Sequence, residues 1–189
     1  DDTDSKYMFE QQYNDGDLRM GRFALLNILS SRMNASDFST AGAALLHMSG
    51  AFDYRGRMQM PSFMPLNGTP LNEAIIAAME IVPQFQKRNK LQIVNTVFLT
   101  DGEGQSTYGV YETHTNSAGK PFLAREYPNG KMIIRDKKTM IQEISDERHK
   151  QTPALLRMLK QIAGCNVVGF FILNGRDFKS AMYRYGPRS

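Results

Sequence analysis

Twice in this chain a Thr-Pro pair opens a helical apolar stripe, and each stripe is followed within a few residues by a short apolar run. The first instance is Thr69-Pro70, then the stripe Leu71, Ala74, Ile75, Ala78, Met79, Val82 and Phe85, then the run 93–99. The second is Thr152-Pro153, then Leu155, Leu156, Leu159 and Ile162, a stop at Gly164, and the run 166–173. Threonine suits a helix N-cap, and proline suits the first helical position, where its missing N–H costs nothing. Short runs rich in β-branched residues read as strands buried on both faces. Helix, buried strand, helix, buried strand is the pattern of an α/β chain with a parallel sheet. At 189 residues the chain holds one such domain with a sizeable core.

Other elements are placed by the same rules. Leu18, Phe23, Leu26, Leu29 and Met33 recur at helical spacing, which predicts a helix over 18–33 closed by Asn34. A second helix is expected over 39–48, ahead of Gly50, and a loop over 52–66. Pro83 is expected to kink or thin the third helix near its end, while Lys87, Arg88 and Lys90 suit the negative end of its dipole. Between the two apolar runs the period changes. Residues 108–115 alternate, 116–119 (Asn-Ser-Ala-Gly) is turn chemistry, and 122–127 and 131–135 follow, split by Pro128-Asn129-Gly130. This reads as a small antiparallel insertion of two or three strands over 105–150. The expected division is a polar segment 1–17, a domain 18–175 that carries the insertion, and a basic segment 176–189 that forms a final helix or a tail.

Two loops of this plan bring chemistry to one sheet edge. Asn67-Gly68-Thr69-Pro70 ends in a hydroxyl at the mouth of a helix, and Val97-Phe98-Leu99-Thr100-Asp101-Gly102-Glu103 ends in an acidic turn. Open α/β folds place their sites at the carboxyl ends of the strands. A hydroxyl and a carboxylate meeting there suit a hard cation such as magnesium. Plain capping by Thr69 and plain Asp-Gly turn chemistry at Asp101 are the alternatives.

These residues carry a resemblance. Gly68-Thr69-Pro70-Leu71 leading into a helix, followed by Val97–Glu103, looks like the second and third loops of a von Willebrand factor A-type domain. The resemblance spans roughly 66–104 and extends more loosely over 150–174. It implies a three-layer α/β/α sandwich with a mainly parallel, Rossmann-like central sheet. It also implies a metal-ion-dependent adhesion site in which Thr69 binds Mg2+ (or Mn2+ or Ca2+) directly and Asp101 binds it through water. Gly68, Gly102 and Glu103 would support the two loops. The family's first loop, Asp-x-Ser-x-Ser, does not occur in the chain, so that loop and its strand are expected upstream of residue 1. An A domain with an insertion after the third loop is similar to cytosolic cobaltochelatase-subunit-like and phage-encoded proteins. That likeness implies a non-catalytic adaptor of a MoxR-type AAA+ ATPase, with a partner carboxylate completing the ion's coordination.

Composition limits the competing classes. No apolar run approaches the roughly 18–20 residues that span a bilayer. The start is acidic and carries no secretory pattern, so the expected location is cytoplasmic, or host cytoplasm for a phage protein. The sequons at Asn34 and Asn67 are discounted on the same ground. The single Cys165 excludes an internal disulfide and reads as a small buried hydrophobe or, less simply, a nucleophile. His47, His114 and His149 lack zinc spacing, and no Gly-x-Ser-x-Gly elbow is present. Met58, Met60 and Met64 cluster ahead of Thr69, for core filling or adaptable binding. Residues 1–17 hold six acids against Lys6, which leaves the net charge of +4 resting on a body of about +9. With the Arg/aromatic strings 52–57 and 183–188, that charge makes non-catalytic nucleic-acid binding the rival reading.

Overall fold

The computed structural model describes residues 13–18, 25–52, 68–100, 104, 109–127, 130–146 and 151–168. They form three helices, α1 (Ala35–Ser49), α2 (Leu71–Asn89) and α3 (Gln151–Ala163), and four strands, β1 (Val110–Thr115), β2 (Pro121–Glu126), β3 (Met132–Arg135) and β4 (Gln142–Ser145).

The core lies between α2 and α3. From α2 it takes Ile75, Ala78 and Val82, spaced to share one helix face, and from α3 Ala154, Leu155, Met158 and Leu159. Burying a side chain of this kind stabilises the fold by about 1.5–3 kcal/mol. Leu71 and Met79 pack at the margin of this core, as the stripe predicts, but Phe85 is half exposed. Pro83 does not end α2. The helix runs on to Asn89 and closes at Lys90, which takes a left-handed φ of 53° without being glycine. Gly164 (φ 60°) follows α3, as a left-handed stop requires.

The alternating region folds into two hairpins. β1 pairs antiparallel with β2, Thr113 opposite Leu123, and the side chain of Asn116 organises the turn by accepting from the backbone N–H groups of Ala118 (3.0 Å) and Lys120 (2.9 Å). β3 pairs antiparallel with β4, Ile133 opposite Ile144. Alternation decides its faces: Met132, Ile134, Glu143 and Ser145 turn inward, while Ile133 and Ile144 are exposed. Arg157 of α3 donates to Glu143 (2.7 Å) and to the Ile144 carbonyl (3.0 Å), and Lys138 donates to Glu80 of α2 (2.8 Å), so the second hairpin is tied to both helices. Residues 13–17, read as part of a polar segment, and Leu18, read as the start of a helix, lie along β1. Gly16 donates to the Tyr111 carbonyl (2.7 Å), Tyr111 donates to the Asp17 carbonyl (2.9 Å), and Tyr13 stacks on Tyr111 at 4.3 Å.

The expected three-layer sandwich on a parallel sheet is overturned. Among the described residues the sheets are two separate antiparallel pairs, and no parallel pair occurs. The run 93–99 joins no ladder. Val94 and Phe98 rest against the helices, but Ile93, Val97 and Leu99 are 77%, 75% and 94% exposed. The described part of 166–173 behaves alike, with Val168 70% exposed. An apolar run becomes a buried strand only when both faces are covered, and here the helices cover one. The helix over 18–33 is likewise absent from 25–33, where a turn closes from Met33 N–H to the Ser30 carbonyl (3.1 Å). Asn34 ends nothing. It opens α1, its side chain accepting from Asp37 N–H at 2.9 Å. The fourth strand, β4, was not expected.

Candidate two-loop site

Gly68 takes a φ of 77°, a conformation glycine adopts without strain, and turns the chain into Thr69 and Pro70. Thr69 does not cap α2. The N-cap position falls on Pro70 (φ −78°, ψ 46°), whose carbonyl accepts from Ala74 N–H at 3.0 Å and which offers no side-chain cap. The capping alternative for Thr69 is therefore set aside.

The other side of the site is the end of the 91–100 segment. Phe98 anchors it against the helix pair, and the next two residues, Leu99 and Thr100, reach the second loop. Gly68, Thr69, Pro70, Leu99 and Thr100 together line one open depression of about 530 Å³. Thr69 is half-buried there, whereas Leu99 and Thr100 are exposed. The described parts of the two stretches singled out from sequence thus share one lining, although the parallel sheet expected to bring them together is not present among the described residues. Packing of α2 and of the 91–100 segment on the same core does that work.

Asp101, Gly102 and Glu103 lie outside the described residues, as do Asn67, the three loop methionines, His149 and nearly all of the two Arg/aromatic strings. Asp101 directly follows Thr100, so the candidate carboxylate is one residue from the lining. The lining side chains supply hydroxyl oxygens, neutral hard donors of the class that magnesium accepts. Among the described residues no group of three His, Cys, Asp or Glu is placed to hold a metal.

The first turns of α2 and α3 meet in a buried polar layer. Asn72, Gln151 and Ser145 are each 1% exposed and Glu73 is 4% exposed. Thr152 donates from Oγ1 to Asn72 Oδ1 at 2.6 Å, joining the two helix starts. Gly104, just past the acidic turn, sits on that bond. A Cβ there would come within 2.8 Å of Thr152 Oγ1 and 3.0 Å of Asn72 Oδ1. Sequence reasoning missed Thr100, Asn72 and Thr152 as parts of this arrangement. Thr152 was read as a cap and lies inside α3. A polar residue at the second position of an otherwise apolar-striped helix, as Asn72 is, was the one signal available.

The displaced titrations lie elsewhere. Lys137 beside Asp17 and Lys138 beside Glu80 hold those carboxyls below their ordinary values, and hydrogen bonds from Thr139 do the same for Asp136. None of these groups lines the depression. His114 Nε2 lies 3.2 Å from Glu126 Oε1 on the first hairpin, and Cys165 is half-buried with its thiol 3.9 Å from the Leu159 carbonyl. No helix of the described residues is long and apolar enough to cross a membrane. No protein-family model, curated protein or solved structure matches the chain.

Proposed function

We propose that this chain is a non-catalytic protein-interaction module whose binding surface is the pair of loops around Thr69 and Asp101. The loops hold a divalent cation, Mg2+ in the first instance, with Thr69 as the direct ligand and Asp101 as the carboxylate acting through water. Gly68 and Gly102 let the backbones approach, and Glu103 adds negative charge. The cation supplies a Lewis-acidic contact for a carboxylate of the partner, because magnesium keeps near-octahedral geometry and two protein ligands leave positions open. The partner class that fits the loop resemblance is a MoxR-type AAA+ ATPase, for which the module would serve as adaptor.

The observation that supports this reading is the shared depression. Gly68, Thr69 and Pro70 face Leu99 and Thr100 across one open concavity.

The test is capture of the ATPase by the full-length protein in Mg2+ and in EDTA. Thr69→Ala and Asp101→Ala are each expected to abolish the Mg2+-dependent part of the binding and to leave the far-UV circular dichroism unchanged. Undiminished capture by both variants rejects the cation bridge. Binding of a labelled oligonucleotide that ignores EDTA but falls steeply with salt would favour the nucleic-acid reading, since phosphate contacts carry that dependence.

A further inference from the structure

We infer that residues 93–99 form a docking edge for an extended peptide of another protein, one whose apolar side chains alternate and whose end is acidic. Three observations carry it. The segment is seated on one side only: Val94 and Phe98 rest against the core of α2 and α3, while Ile93, Val97 and Leu99 share the outward side and are 77%, 75% and 94% exposed. Its backbone is open. Among the described residues no N–H or carbonyl of 93–99 takes part in a hydrogen bond, whereas β1 to β4 are all paired. Cations crowd one end. Lys87, Arg88 and Lys90 lie just ahead of the segment, all exposed, and Arg32 joins them by donating to Asn89. None of the four makes an ion pair among the described residues.

Together these features describe the surface that an added strand needs. A row of apolar side chains beside unpaired backbone is a template for one more strand, in which main-chain hydrogen bonds give affinity and alternate side chains give specificity. The stretch 91–100 contains no charged residue, so the row itself is neutral and the charge gathers at its leading end. That asymmetry selects the partner. A strand added antiparallel sets its C-terminal end beside Lys90, and acidic residues there answer the four cations. Its alternate apolar residues cover Ile93, Val97 and Leu99. A nucleic acid would use the cations but leave the apolar row and the open backbone uncovered. The inference is independent of the cation-binding reading of the two loops, although Leu99 belongs to both surfaces.

The probe is a labelled peptide of alternating valine and threonine that ends in a run of aspartates, titrated with the full-length protein in EDTA and followed by fluorescence anisotropy. Saturable binding is expected. Val97→Asn, on the exposed side, is expected to weaken it about tenfold. The paired reversal Lys87→Glu with Arg88→Glu is expected to weaken it about tenfold at low salt and far less at high salt. N-methylation of alternate peptide amides is expected to abolish it, since the ladder needs those N–H groups. Ile133→Asn, at an exposed apolar position on β3, is expected to change nothing. A wild-type protein that ignores the peptide, or binds the N-methylated form as well, overturns the docking edge. Wild-type affinity in Val97→Asn or in the charge-reversed protein does the same. Tighter binding of a labelled oligothymidylate, lost on charge reversal, assigns the cations to nucleic acid and overturns the peptide. Self-association of the wild-type protein that Val97→Asn abolishes assigns the edge to a second copy and also overturns it. Each of these outcomes leaves the cation reading standing, because every titration is run in EDTA.

Discussion

Two helices of similar length behave in opposite ways. α1 has 15 residues and buries none of them, whereas α3 has 13 and buries five. Both contain leucines and alanines in number. α1 is held by bonds within its own neighbourhood: Asn34 accepts from Asp37 N–H, Thr40 donates to the Ser36 carbonyl, and Ser49 donates to the Leu46 carbonyl. α3 is held by partners from far along the chain, Ile75 and Val82 on one side and Ile134 and Ile141 on another. What separates them is whether apolar residues gather on one face opposite a surface that needs covering. Cap chemistry decides where a helix starts. A matching surface decides how much stability it adds, because an isolated helix of about 15 residues is marginal in water.

The strongest test of that contrast pairs two leucine truncations. Leu155→Ala, at a site 1% exposed, is expected to lower unfolding free energy by about 2–5 kcal/mol. Leu46→Ala, at a site 76% exposed, is expected to stay within about 0.5 kcal/mol. Urea denaturation of the two variants measures both, and comparable losses would break the comparison.

A smaller effect is expected from Asn34→Ala. Loss of the cap should cost α1 about 1 kcal/mol, because Asp37 N–H loses its partner. With no buried residue linking α1 to the core, the loss should appear as faster amide exchange within 35–49 and not as a shift of the global urea midpoint. A midpoint shift would mean that α1 is coupled to the core after all.

The smallest effect belongs to the rim of the packed region. Lys138 beside Glu80 holds that carboxyl below its ordinary value of 4.5. Between the lowered folded value and 4.5 the unfolded chain binds the extra proton, so stability falls as pH drops through this window. The contribution is fully present above 4.5 and is lost below the folded value. Glu80→Gln should flatten that slope slightly in urea melts between about pH 5 and pH 3. Both groups of the pair are largely exposed, so solvent and salt keep the effect small.

What was legible in the sequence follows the same division between local and distant causes. α2 could be read from its stripe, the hairpins from alternation and turn residues, and the end of α3 from Gly164, all of which are decided within a few residues. Asn34 was misread because asparagine can close one helix or open the next, and only the hydrogen bond to Asp37 chooses. The run 93–99 and the described residues 166–168 were misread because burial of both faces depends on a covering layer that no local pattern encodes. β4 was missed because Gln-Glu-Ile-Ser is strand-like only opposite β3. At the depression, Gly68 and Thr69 had been singled out from loop chemistry. Asn72, Thr152 and Gly104 were not, since their relation spans 80 residues.

That span also governs how the molecule folds. The hydrogen bond from Thr152 to Asn72 closes a loop of 80 residues, and both hairpins lie inside it. Hairpins close in microseconds, whereas contacts this far apart are the slow ones. Hairpin pairing is therefore expected to precede docking of α2 on α3 and to shorten the distance that the two helices must search. Closure entropy grows only logarithmically, about 0.6 kcal/mol for each doubling of a flexible loop. A few residues inserted at the turn after β1 should barely delay docking, while unpairing the hairpins should slow it far more.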